Sequence, residues 1–129
     1  IVFVHWGIER NEYPEDYQHA LAKGYIDAGA DLVLGCHPHI LQGFEYYKDV
    51  PIVYSLGNYL FGSRDGDTLL LQAVFAEDGS MEIRLLPCRR QNGVLSAIKD
   101  PSALYRHLTE LSFDAEVSEE GVLRYRGTD

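Results

Sequence analysis

The stretch Ala30-Asp31-Leu32-Val33-Leu34-Gly35-Cys36-His37-Pro38-His39 decides how this chain is read. Its first five residues form a short, mostly apolar run of the kind that makes a buried strand. Gly35 predicts a tight backbone turn at the end of that strand, and Pro38 stiffens the segment that carries the histidines. His37 and His39, two residues apart just past a strand end, can then aim both imidazoles at one spot. Imidazole is the commonest neutral metal ligand near pH 7. A third histidine, His5, ends another apolar run, Ile1-Val2-Phe3-Val4. Three of the five histidines are therefore expected where open α/β sheets place their ligands, outside the carboxyl ends of strands.

Between those two runs the pattern is helical. Pro14 suits a first helical position, and Glu15 and Asp16 suit a helix N-terminus. The helix is expected to run to about Asp27, with Tyr17, Leu21, Tyr25 and Ala28 as its apolar stripe and Gly29 as its C-terminal cap. A strand, a helix and a second strand favour parallel pairing through a right-handed crossover. Beyond His39 the pattern changes. Ile40–Tyr47 and Pro51–Tyr54 read as short strands around a turn at Lys48-Asp49, and Ser55-Leu56-Gly57-Asn58 is a turn signal. Thr68–Ala76 and Met81–Arg89 flank Glu77-Asp78-Gly79-Ser80, a hairpin signature. Ser102–Leu111 reads as a helix, and Val122–Tyr125 as an edge hairpin or a frayed end. The expectation is an incomplete α/β sandwich in which parallel strands are followed by antiparallel hairpins.

At 129 residues the chain is one domain or part of one. It begins without Met, inside an apolar strand, which suggests a piece of a longer chain. A targeting or anchoring segment is then expected elsewhere, and the exposed sheet edges are expected to self-associate. No apolar run is long enough to span a membrane. The net charge of -9 argues against a nucleic-acid partner, whose phosphates would be repelled. It leaves anionic ligands open, because a bound divalent ion inverts the local field. Cys36 and Cys88 say little about compartment, and a disulfide between them is a minor alternative.

His5, Glu9, His37 and His39 are the candidate ligands or catalytic groups. Mn²⁺, Fe and Zn²⁺ accept such mixed nitrogen and oxygen donors. Two such ions about 3.5–4 Å apart form the usual device for phosphoester cleavage and need about six protein ligands, so this chain offers roughly half of a dinuclear site. Glu9 reads equally as a ligand, as a partner that fixes an imidazole tautomer, or as a solvated loop acid. Asn58 either positions a substrate oxygen or a ligand loop, or is a plain turn asparagine. Trp6 reads as a pocket wall. His19 and His107 lie on expected helices and read as surface residues.

Three segments carry a resemblance: His5-Trp6-Gly7-Ile8-Glu9, Gly29 to His39, and Tyr54-Ser55-Leu56-Gly57-Asn58-Tyr59-Leu60-Phe61. In order and spacing they resemble the bacterial capsule-synthesis proteins of the CapA type, over about residues 1–62. That family is associated with poly-γ-glutamate production and is similar in fold to calcineurin-like metallophosphoesterases. The resemblance implies that residues 1–129 are the C-terminal half of a metallophosphatase-like α/β sandwich. It implies divalent metal ions, two of them in the complete protein, with His5, His37 and His39 at matching ligand positions and His5, Glu9 and Asn58 as catalytic groups. It further implies a membrane-anchored protein whose domain lies outside the cytoplasm. The partners would be membrane-bound polymer synthase or export subunits and an anionic polymer or phosphate-containing ligand. The family normally carries an upstream half with an Asp, a Glu and an Asn-His pair, and these are not in this chain. Two function classes compete: a capsule or polyglutamate assembly factor, and a metal-dependent phosphoesterase acting on a small phosphate ester. For residues 1–129 alone, negligible hydrolysis is expected.

Overall fold

The computed structural model describes residues 1–62 and 64–127. The chain forms β1 (Val2–His5), α1 (Asp16–Asp27), β2 (Val33–Cys36), β3 (Phe44–Tyr47), β4 (Val50–Val53), β5 (Gly66–Phe75), β6 (Met81–Gln91), β7 (Val94–Ala97), α2 (Ser102–Glu110), β8 (Ala115–Val117) and β9 (Val122–Tyr125). Two sheets result. The first has the order β1-β2-β4-β3, and the second runs β5-β6-β9-β8 with β7 also paired to β6. In the first sheet β1, β2 and β4 are parallel, and β3 runs antiparallel to β4. Every pairing in the second sheet is antiparallel. The protein is thus mixed α/β, with parallel strands early and hairpins late.

Strand periodicity explains the layering, because successive side chains point to opposite faces. Leu32, Phe44 and Val53 of the first sheet pack with Leu69, Ile83, Leu85 and Leu123 of the second and with Tyr105 and Leu108 of α2. The alternate residues Val33, Ile52 and Tyr54 turn the other way and pack on Ala22 and Ile26 of α1. β2 and β4, inside the first sheet, are therefore covered on both faces, which is why they read as continuous apolar runs, whereas β1 at the edge leaves Phe3 exposed.

Several boundaries differ from the sequence reading. The buried face of α1 is Gln18, Ala22 and Ile26, whereas Tyr17 and Leu21 are exposed. The apolar spacing of Tyr17 and Leu21 is real, but their neighbours one position on carry the contact with the sheet. The second strand lies two residues later than expected, so His37 comes directly after it. Val94–Ala97 adds a strand absent from the sequence reading, although its Asn92-Gly93 turn, with both residues at positive φ, is a hairpin signal. The C-terminal hairpin is not frayed: β9 pairs with both β6 and β8.

Candidate metal centre

β1 and β2 end side by side, with Val4 opposite Gly35 and His5 opposite Cys36. The loops that leave them start from one sheet edge. Gly35 sits inside β2 and does not make a turn. A side chain there would collide with the Trp6 indole nitrogen and the Tyr54 carbonyl oxygen. Trp6 is buried and donates its Nε1–H to that carbonyl at 3.1 Å. The sequence reading is corrected on both residues: Gly35 provides room, and Trp6 fills it as part of the core.

Past the strands the backbone is strained. His37 and His39 have φ values of 105° and 62°. The left-handed region costs a residue with a Cβ of order 1–3 kcal/mol and persists only where the surroundings enforce it. The Arg10 amide donates to the Pro38 carbonyl at 2.8 Å, which ties the loop after β1 to the loop after β2. The first of these loops is itself pinned, since the Gly7 amide donates to the Tyr17 hydroxyl at 2.6 Å and Gln42 Nε2 donates to the Asn11 carbonyl at 2.8 Å.

This scaffold brings Glu9, His37 and His39 together: one donor atom from each lies within 4.8 Å of the others. The His5 ring stands 4.5 Å from that of His37. Its Nδ1 lies 3.5 Å from Cys36 Sγ, and His5 falls outside the 4.8 Å set. Asn58 Oδ1 lies 2.8 Å from His39 Nδ1. An amide oxygen only accepts, so Nδ1 donates in this contact, which leaves Nε2 as the ring nitrogen available to a metal. The Phe61 ring stacks on His39 at 5.0 Å. Burial pushes the Cys36 thiol up, so it remains protonated near neutral pH, and both cysteines are free.

Two imidazoles and a carboxylate form a donor set suited to a Mn, Fe or Zn ion. The Asn58 contact is the kind of outer hydrogen bond that orients a ligating histidine. The residues therefore fit a divalent ion. Beside them a cavity of about 230 Å³ is lined by Glu9, Arg10, His39, Asn58, Phe61 and Arg64. A second cavity, about 400 Å³, continues past His39 and Asn58 to Glu12 and His107.

His19 was expected at the surface but is largely enclosed. Its Nδ1 lies 2.5 Å from Glu45 Oε2, the Tyr54 hydroxyl donates to the same oxygen at 2.5 Å, and Lys23 Nζ approaches Oε1 at 2.9 Å. Burial alone would raise the Glu45 carboxyl, but the Tyr54, Lys23 and His19 contacts outweigh it and hold the carboxyl below its usual range. Burial, reinforced by the Glu45 charge, pushes the Tyr54 phenol well above its ordinary value. The cluster ties α1 to β3 and β4. The sequence carried a signal for it: Glu45 interrupts an aromatic strand, and His19 and Lys23 share one helix face at a spacing of four. His107 keeps about half its side chain exposed, 3.5 Å from Glu12.

Residues 1–63 match the family described as bacterial capsule synthesis protein PGA_cap. The chain is similar to the capsule biosynthesis protein CapA of Bacillus anthracis, 41% identical over 117 residues, which are 85% of this chain and 28% of that protein. It is 34% identical over 132 residues to the PGA biosynthesis protein CapA of Bacillus subtilis (strain 168), covering 97% of this chain and 35% of that protein. A third relative, the uncharacterized protein y4sH of Sinorhizobium fredii (strain NBRC 101917 / NGR234), is 53% identical over 51 residues, 40% of this chain and 11% of that protein. The chain thus spans about a third of the length of the two CapA proteins.

Proposed function

Because the chain belongs to the CapA-type family of bacterial capsule synthesis proteins, we propose that it supplies a divalent-metal site to a protein that assembles an anionic capsule polymer, poly-γ-glutamate being the polymer in view. The observation that supports this is the convergence of Glu9, His37 and His39 within 4.8 Å, inside the family-matched residues. A bound Mn, Fe or Zn ion would act there as a Lewis acid toward a carbonyl or phosphoryl oxygen. The chain's own residues do the rest. Asn58 holds the proton on His39 Nδ1 and so fixes which nitrogen faces the site. Phe61 limits the tilt of the same ring. His5, exposed beside His37, is placed to exchange a proton with a group entering the cleft. In this reading the complete protein works at the outer face of the cell membrane, beside the subunits that polymerise or export the chain. No helix among the described residues is long and apolar enough to cross a membrane.

The test is made in cells that depend on the full-length protein for polymer. His39→Ala should stop polymer production while the protein accumulates normally, and the purified full-length protein should not cleave phosphodiesters. Undiminished polymer would refute the role of the site. Phosphodiester cleavage that His39→Ala abolishes would instead establish the phosphoesterase reading.

A further inference from the structure

The cavity beside the histidines carries a feature that the metal donors do not use. Arg10 and Arg64 both line it, together with His39 and Asn58. Among the described residues neither guanidinium forms an ion pair within 4.0 Å. Seven of the eleven Lys and Arg side chains lack an ion pair among the described residues, so what sets these two apart is that both line the cavity beside the donor set. Of the acids lining the adjoining larger cavity, Asp67 is held by Arg89 at 2.6 and 3.0 Å and Glu12 lies against His107, whereas Asp65 forms no ion pair within 4.0 Å among the described residues. Arg10 is also held in place by its backbone, with φ at 63° and its amide bonded to the Pro38 carbonyl at 2.8 Å. A non-glycine residue in that region is strained. Here the strain fixes where the Arg10 side chain leaves the backbone, one residue after Glu9 and against the His37-Pro38-His39 loop.

We propose that Arg10 and Arg64 form an oxyanion-binding subsite that holds a carboxylate or phosphate group of the substrate next to Glu9, His37 and His39. This deepens the metal-site reading above and rests on it for the meaning of the subsite, though not for its existence. Guanidinium groups bind planar or tetrahedral oxyanions through paired, charge-assisted hydrogen bonds. A volume of about 230 Å³ admits one such group with a short stretch of chain. A polyacid would present one carboxylate at a time, and a phosphate ester its phosphoryl oxygens. The subsite serves either, and the two are separated by titration.

The experiment titrates inorganic phosphate and, separately, glutarate into the protein, followed by the ring NMR signals of Phe61 and His39 and by calorimetry. At least one anion should bind, and the preferred one identifies the substrate group. Arg10→Gln and Arg64→Gln should each weaken it about tenfold, as expected for losing one charge-assisted contact, and the double variant should abolish it. Arg10→Lys should recover part of the loss. Arg124→Gln, an exposed arginine on the second sheet, should have no effect. Metal uptake is measured on the same samples. If metal binds but neither anion does, or if Arg124→Gln weakens binding as much as Arg10→Gln, the subsite is overturned. If the anion binds as described while no metal does, the subsite stands and the metal reading fails.

Discussion

The two sheets of this protein solve the same packing problem in different ways. The second, from Gly66 onward, is wholly antiparallel around the long strand β6, and its non-glycine residues at positive φ, Asn92 and Asp114, fall between strands. The first sheet carries Arg10, His37 and His39 at positive φ outside any hairpin turn. Among the described residues, four of the five buried polar side chains, Gln18 of α1 together with Gln42, Glu45 and Ser55, lie in the half built around the first sheet, against Thr68 alone in the second. Among the described residues, both buried side-chain atoms without a hydrogen-bond partner, Gln18 Nε2 and Gln42 Oε1, lie in this half too. Strain and buried polarity persist where something other than stability is selected. The contrast favours the proposal that places the chemistry at the first sheet, with the second as its brace.

That contrast is most exposed to challenge at Gly35. Gly35→Ala forces a methyl group into Trp6 and the Tyr54 backbone and should cost about 3 kcal/mol or more, since neither neighbour can yield without moving the sheet. Gly79→Ala, in a hairpin turn at φ 84° with open space around it, should cost only about 1 kcal/mol. Chemical denaturation of the two variants makes the comparison, and equal losses would contradict it.

Next in size is the buried carboxylate. Glu45→Gln should destabilise by roughly 2 kcal/mol, because Tyr54, His19 and Lys23 lose their common anion. Asp67→Asn, which breaks an exposed pair with Arg89, should cost less than about 1 kcal/mol. The signs of the two shifts set the pH dependence. The Glu45 carboxyl is held below its ordinary 4.5 in the fold, so its stabilisation is complete above pH 4.5 and is lost as pH falls through the lower folded value. The Tyr54 phenol is raised above 10.0, so its contribution is complete below pH 10 and fades as pH rises beyond it. Thermal melts should show both losses in the parent and lack the acid one in Glu45→Gln.

A smaller effect is expected at the strained loop. His37→Gly should leave stability unchanged or raise it by up to about 1 kcal/mol, because relief of the left-handed strain offsets the added freedom of the unfolded chain. It should also remove metal uptake. Asn92→Gly, in an ordinary turn, should change neither. A clear loss of stability in His37→Gly would show that the loop is not strained as described.

Legibility in the sequence divides along the same line. The strand-helix-strand start, the late hairpins and the place of His37 and His39 past a strand end were legible, because apolar periodicity and turn residues are local signals, whereas His5 is itself the last residue of β1. The buried face of α1 was not, because Gln18 is buried by contacts far along the chain and no local rule favours a glutamine there. The role of Gly35 was misread because a glycine that makes room looks, in sequence, like one that turns. His19 was read as exposed because its partner Glu45 lies 26 residues away. Glu9 and Asn58 were among the candidates, but only the fold places Glu9 beside His37 and His39 and aims Asn58 at His39 Nδ1.

Binding of a divalent ion by Glu9, His37 and His39 together is the point on which the functional reading turns, and calorimetric titration of Mn²⁺ or Zn²⁺ into this chain at pH 7.5 measures it. Saturable uptake is expected that is lost in Glu9→Gln and in His39→Ala, is kept in His107→Ala, and fades as pH falls through about 6.5, where imidazoles protonate. No uptake at pH 7.5, or uptake that survives both Glu9→Gln and His39→Ala, would contradict it.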